Sequence, residues 1–258
     1  MGRFDDRRAI VTGAARGIGA AVAQALAREG AAVGLIDLAE EGLRRTAEAI
    51  ASDGGRAVAA VADVGSEEDV AAAIERLAGE LDGIDLLAAF AGVVGYATAP
   101  ELDADEWDRI MRVNAKGPYL CAKHAIPHMR ERGGGAILMT SSIMAFATSE
   151  TAGAYSASKG AVAALTRAMA LDHATEGIRV NCLVPGVIRT ELLDDAAAQF
   201  DTDDPQALIE SWGARHPIGR IIEPAEVAEV ALFLLGDGAS AVTGSCYRVD
   251  GGLLSRLA

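Results

Sequence analysis

Lysine is nearly missing from this sequence and stands only at 116, 123 and 159. Acidic residues number 37 against 23 Lys and Arg, leaving a net charge of −14. With no basic surplus to neutralise phosphates, a general nucleic-acid binder or an anionic membrane surface is disfavoured, and the charge reads mainly as solubility. The three cysteines, Cys121, Cys182 and Cys246, lie far apart and form no C-x-x-C. Neither a disulfide framework nor a zinc site is suggested, and no metal is expected. No run approaches the roughly 18 apolar residues of a membrane span. The segment from Met1 to Arg8 is short and charged, without an apolar signal region. A soluble cytoplasmic protein is therefore expected. Aromatic residues make only 4% of a chain that is 51% hydrophobic, so the core must be built from Ala, Val, Leu and Ile. The 29 glycines are scattered, which excludes collagen-like and low-complexity character.

What is present is an alternation. Short β-rich runs at Arg8–Val11, Ala32–Ile36, Ala57–Val61, Ile84–Ala88, Ala136–Thr140, Arg179–Val184 and Cys246–Val249 alternate with longer Ala-rich stretches. The helical stretches are Gly17–Glu29, Glu40–Ser52, Glu67–Leu81, Asp105–Val113, Pro118–Glu131, Ala154–His173 and Pro224–Leu235. This rhythm predicts an α/β domain, a doubly wound parallel sheet covered on both faces, with ligands at the carboxyl ends of the strands. No linker or composition break divides residues 1–258. The acidic stretch Asp194–Asp204, followed by Pro205, reads either as part of a mobile substrate lid (about 190–215) or as an ordinary surface loop.

The first strand runs into Thr12-Gly13-Ala14-Ala15-Arg16-Gly17-Ile18-Gly19. A glycine turn between strand and helix offers backbone N–H groups and a helix dipole to a phosphate. The spacing is looser than G-x-G-x-x-G, and such glycines also serve close packing. Asp37 ends the second strand, where a carboxylate can accept from both hydroxyls of an adenosine ribose and repel a 2′-phosphate. NAD is therefore expected over NADP. Arg16 argues the other way, since a basic side chain there could pair with a 2′-phosphate. Asp37 carries more weight, because two charges a few ångströms apart interact by roughly 4 kcal/mol at an effective dielectric near 20. Its structural alternative is a helix N-cap. Asp63-Val64, ending the third strand, could meet the adenine amino group.

Tyr155 and Lys159 share one helical face, four residues apart. A free phenol, with a pKa of about 10, is a poor base at neutral pH. A neighbouring ammonium and an oxidised nicotinamide ring are expected to lower that value. Ser142, just past the fifth strand, can orient a substrate oxygen, and Asn114 could hold a water that feeds protons to Lys159. Each has a structural alternative: a chance i, i+4 pair, a turn or cap at Ser141-Ser142, a bridging Asn114. Their joint occurrence behind a glycine turn favours hydride and proton transfer between a carbinol and a nicotinamide.

With these motifs in order, the chain resembles the short-chain dehydrogenase/reductase family in its form of about 250 residues. Tyr155-Ser156-Ala157-Ser158-Lys159, Asn181, Pro185-Gly186-Val187-Ile188-Arg189-Thr190 and Val249-Asp250-Gly251-Gly252 extend the resemblance from about Arg8 to Gly252. It implies a single Rossmann-type domain with a seven-stranded parallel sheet, a catalytic tetrad of Asn114, Ser142, Tyr155 and Lys159, and a homotetramer. It implies that Ile188 and Thr190 hold the nicotinamide carboxamide. The cofactor set so expected is Gly13, Arg16, Gly17, Ile18, Gly19, Asp37, Leu38, Asp63, Val64, Ala91, Gly92, Tyr155, Lys159, Pro185, Gly186, Ile188 and Thr190. One departure stands out: Ala89-Phe90-Ala91-Gly92 replaces the family's Asn-Asn-Ala-Gly. The side-chain hydrogen bonds of both Asn are lost there, while backbone contacts from Ala91 and Gly92 could survive.

The expected reaction interconverts a secondary alcohol and a ketone, with Tyr155 as acid and base. The expected substrate pocket joins Ser142, Met144, Tyr155, Val187 and Leu192 to Val94, Tyr96, Ile143, Phe146, Leu193 and Trp212. This mostly apolar set suits a cyclic alcohol, a steroid-like ketone or a terpenoid. A sugar or polyol dehydrogenase and an NADPH-dependent 3-oxoacyl thioester reductase are rivals. A non-catalytic dinucleotide-binding regulator and a purely structural subunit are the rivals from other classes.

Overall fold

A computed structural model describes residues 2–256. Its elements run β1 (Arg8–Thr12), α1 (Gly17–Arg28), β2 (Ala32–Asp37), α2 (Glu40–Ser52), β3 (Arg56–Val61), α3 (Glu67–Leu81), β4 (Leu86–Ala89), α4 (Ala104–Met111), α5 (Gly117–Glu131), β5 (Gly135–Thr140), α6 (Gly153–His173), β6 (Ile178–Pro185), α7 (Glu191–Ala197), α8 (Pro205–Ala214), α9 (Pro224–Leu235) and β7 (Cys246–Val249). The seven strands form one parallel sheet in the order β3-β2-β1-β4-β5-β6-β7. Strand order reverses between β1 and β4, so a crevice opens at their carboxyl ends.

The sheet is buried on both sides because successive residues of each strand feed opposite layers. Ile10, Leu87 and Ile137 join Leu77, Leu120 and Val162 in one layer. Val11, Ala88 and Leu138 join Val22, Leu26 and Leu232 in the other. Fully burying a Val or Leu side chain contributes about 1.5–3 kcal/mol. A third, small cluster of Ala197, Ile209 and Ile221 lies under the segment after β6.

Local signals set several boundaries. Ser66 accepts from Asp69 N at the start of α3, and Asp82 ends that helix in the left-handed region at φ 65°. At the sheet's amino-terminal edge, buried Asp85 accepts from Arg8 N (2.8 Å) and from Arg132 Nε (2.6 Å). That carboxylate ties β1 and α5 to the entry of β4. Two thiols, Cys182 and Cys246, face each other across β6 and β7 with Sγ atoms 3.3 Å apart.

Three expectations need correction. The fourth strand is Leu86–Ala89, not Ile84–Ala88; Ile84 is buried before it, so an apolar run alone misplaces the edge. The helix expected over Asp105–Val113 stops at Met111 and passes into a π turn, Arg112–Lys116, that carries Asn114. The acidic stretch after β6 is not a plain loop: α7 and α8 flank it. Asp204 caps α8 by accepting from Ala207 N at 2.9 Å, with Pro205 in the first turn. Among the described residues no helix is long and apolar enough to cross a membrane.

Candidate active site

The β1–α1 turn meets the conditions for a pyrophosphate seat. Gly13 sits at φ 68°, and a Cβ there would lie 2.7 Å from Ala91 N. A Cβ on Gly19 would lie 2.1 Å from Gly13 O. Only glycine lets the loop fold this tightly against the exit of β4. Helix α1 has no capping side chain and no acid in its first turn, which leaves its positive end available to an anion. Ile18 reaches the substrate cavity from this turn. Gly17 lies against Thr190: a Cβ would be 3.1 Å from its Cγ2.

Asp37 stands beside the turn. Its Oδ2 accepts from Ala15 N (3.1 Å) and its Oδ1 from Ala39 N (3.0 Å). Ala39 is the residue capping α2, so Asp37 is a turn-stabilising carboxylate and not the N-cap itself. Leu38 next to it is 65% exposed, a bare apolar surface at the crevice edge. Arg16 points elsewhere and donates to Asp195 Oδ2 on α7 at 2.8 Å. Asp63 has both oxygens engaged, Oδ2 with Arg112 (2.5 Å) and Oδ1 with Gly65 N (2.8 Å). Burial acts to raise its pKa, but the Arg112 hydrogen bond, the Gly65 N–H and the Arg112 charge outweigh it and hold the acid low. Val64 is buried against Gly117.

Ser142, Tyr155 and Lys159 meet in one cavity at the carboxyl ends of β4, β5 and β6. Helix α6 is held there by Ser141, which donates to Lys159 O (2.8 Å), and by Lys159 Nζ, which donates to Thr140 O (2.9 Å). Lys159 Nζ lies 5.6 Å from the centroid of the Tyr155 ring. Ser142 Oγ accepts from Met144 N at 3.2 Å and so faces the same space. Asn114 is fully buried in the π turn. Its amide donates to Val93 O (2.8 Å) and Ser158 Oγ (3.1 Å), and its carbonyl accepts from Val93 N (2.8 Å). Both amide hydrogens are committed, so the side chain braces the β4 exit against α6. Gly92 lies between Asn114 and Lys159: a Cβ there would be 3.4 Å from Asn114 Oδ1 and 3.7 Å from Lys159 Nζ.

The electrostatics differ from the expectation of an acidified phenol. Burial pushes the Tyr155 phenol up, the nearby Tyr96 phenol adds to this, and the Ser142 hydroxyl opposes it. Burial also pulls the Lys159 ammonium down to about 8, with a small opposing influence from Cys182. The charged form of each group is desolvated, and the protein supplies one cation where the expectation counted two. A lowered phenol pKa is therefore not a property of the protein alone.

The cavity measures about 890 Å³. Val94, Tyr96, Ile143, Met144, Val187, Leu192, Leu193 and Trp212 line it as expected from the sequence. Phe146 does not: it is 55% exposed, carried outward by the short 3₁₀ turn Ile143–Ala145. Tyr96, Phe200 and Trp212 form an aromatic wall, with Phe200 5.0 Å from Tyr96 and 5.6 Å from Trp212 between ring centroids. Sequence reasoning missed Phe90, the strip Thr148–Thr151, Phe200, Leu208, Arg215 and the pair Leu253-Leu254. For the leucines a signal existed: Asp250 accepts from Gly252 N and Leu254 N and turns the chain back over the sheet.

The segment past β6 forms the remaining wall through Pro185, Gly186, Val187, Ile188 and Thr190. Buried His216 fixes it. Its Nε2 accepts from Val187 N (3.1 Å), which leaves Nδ1 to donate to Gly213 O (3.0 Å). Beside Lys159, Thr140 Oγ1 is buried without a hydrogen-bond partner. A glycine cradle, an uncapped helix start, a carboxylate beside it and an orphaned hydroxyl near a lysine with donors to spare fit a nicotinamide dinucleotide.

A family model described as enoyl-(acyl carrier protein) reductase matches residues 13–254. A cis-4-hydroxycyclohexanecarboxylate dehydrogenase from Sinomonas cyclohexanicum is 44% identical over 250 residues, covering 96% of this chain and 97% of that protein. The chain belongs to the short-chain dehydrogenase/reductase family. It is an oxidoreductase acting on CH–OH groups, of a family that uses nicotinamide dinucleotides. Another dehydrogenase of this family, cyclohexanol dehydrogenase from Acinetobacter sp. strain SE19, is 36% identical and covers 98% of this chain and 97% of its own. The solved structure of levodione reductase superposes with a TM-score of 0.95 at 30% identity, over 98% of this chain and all of that one.

Proposed function

We propose that the protein interconverts a ring-borne secondary alcohol and its ketone with NAD as the preferred cofactor, the chain 1–258 acting as one unit with residues 190–215 as its lid. The observation that carries this reading is the meeting of Ser142, Tyr155 and Lys159 in a mainly apolar cavity beside the glycine turn. Bound NAD supplies a hydride acceptor at nicotinamide C4. Ser142 Oγ holds the carbinol oxygen. Tyr155 takes the hydroxyl proton during oxidation and returns it during reduction. Lys159 keeps a positive charge near the phenol oxygen and positions the ribose. Gly13, Gly17, Ile18 and Gly19 offer the pyrophosphate seat; Ala91 and Gly92 flank it. Pro185, Gly186, Ile188 and Thr190 hold the carboxamide end. Asn114 keeps α6 in register.

Support for NAD comes from two side chains. Asp37 presents a carboxylate at the turn, and Arg16, the residue that would favour a 2′-phosphate, is already paired with Asp195. The relatives' names favour ring alcohols. The polar strip Thr148–Thr151 at the cavity is the feature that would favour a polyol instead. Exposed Leu171, Phe233 and Tyr247 support a homotetramer, for which sedimentation is the test.

Tyr155→Phe should abolish alcohol oxidation followed at 340 nm while NADH binding by calorimetry stays within about twofold. Turnover surviving in that variant refutes the proton role. A preference for NADP over NAD in wild type refutes the reading of Asp37.

A further inference from the structure

Three charged residues line the cavity: Lys159, Glu150 and Arg215. Lys159 is spent on the chemistry proposed above. Arg215 is different in kind from the other arginines around the lid. Arg16 pairs with Asp195, Arg189 with Glu223 and Arg220 with Glu226. In a chain with 37 acids, Arg215 takes part in no ion pair and no side-chain hydrogen bond among the described residues. Its backbone, by contrast, is held firmly. Arg215 N donates to Trp212 O (3.3 Å), and the next residue is His216, buried and locked to Val187 N and Gly213 O. Arg215 itself is exposed, so the main chain is anchored at the cavity wall while five solvent-facing guanidinium donors have no acceptor among the described residues.

We infer that Arg215 is a specificity-determining residue that binds a carboxylate carried by the substrate at a position remote from its carbinol. This rests on the dehydrogenase reading above and narrows it to hydroxy acids whose ring spans from Tyr155 to the lid. Relatives carry names with and without a carboxylate, cyclohexanol and hydroxycyclohexanecarboxylate among them, so their names leave substrate charge open. A guanidinium pairs with a carboxylate through two parallel N–H···O bonds. A single negative charge fits better than a dianion, because Glu150 also lines the space. The chain's −14 net charge does not preclude an anionic substrate, since fields from charges beyond about 8–10 Å are screened at physiological salt.

The test compares wild type with Arg215→Gln and Glu150→Gln on 4-hydroxycyclohexanecarboxylate and on cyclohexanol, with NAD. Arg215→Gln should lower kcat/KM for the acid by about tenfold to a hundredfold, the range for a charged hydrogen bond, and leave cyclohexanol within about twofold. Glu150→Gln should leave the acid unchanged or improve it. Equal losses on both alcohols would mean that Arg215 only latches the lid, and would overturn the inference. So would a wild type that does not prefer the acid. In parallel, cyclohexanecarboxylate, which has no carbinol, is titrated calorimetrically into each protein with NAD present. Binding that weakens at least tenfold in Arg215→Gln, with no alcohol turned over by wild type, would support the carboxylate site and sink the dehydrogenase assignment. Binding unchanged by the substitution would sink the site.

Discussion

At the scale of single residues, the pair Tyr155 and Lys159 sets the pH behaviour. Burial raises the phenol and brings the ammonium to about 8. Rising pH through about 8 therefore removes the Lys159 charge while the phenol keeps its proton. With that charge goes the group that steadies a developing phenolate, so kcat/KM for oxidation should fall as pH rises through about 8. Lys159→Met should remove the step. A profile flat from pH 6 to 9 counts against a titrating Lys159. These two residues were legible in the sequence because four-residue spacing places side chains on one helix face. Arg215 was not legible, since its distinction is to lack the carboxylate partner that the fold gives to Arg16, Arg189 and Arg220. Asn114 was legible as a position but not as a brace, because its partners Val93 and Ser158 are joined only by folding.

At the scale of elements, seven β-rich runs alternating with helices sufficed to foresee the sheet, since parallel strands buried on both faces read as apolar runs. The helices after β6 escaped notice because their surface is acidic and their buried face is little more than Ala196, Ala197, Ile209 and Gly213. Short helices with so narrow an apolar stripe leave no clear periodicity. Rings add to the small cluster that holds them. Phe200 touches Tyr96 on one side and Trp212 on the other, contacts worth about 0.5–1.5 kcal/mol each beyond area burial. Phe200→Ala should raise KM for the alcohol severalfold and leave the Kd for NADH unchanged. An unchanged KM would show that the aromatic wall does not shape substrate affinity. The exposed Arg16–Asp195 pair should matter less, since such surface pairs contribute about 0–1 kcal/mol.

At the scale of the molecule, one edge of the sheet carries chemistry and the other carries stability. Asp85, at the amino-terminal edge of β4, gathers Arg8 N and Arg132 far from Tyr155. Asp85→Ala strands both donors and should cost about 3 kcal/mol, lowering Tm by roughly 6–12 °C for a chain of this size. Calorimetry checks the loss, and KM for NAD should stay as in wild type. A change in KM with Tm intact would contradict this division of labour. The same division governs handling of the protein. Leu253 and Leu254 form part of the cavity wall, so labels and probes are better kept away from this turn when substrates are compared.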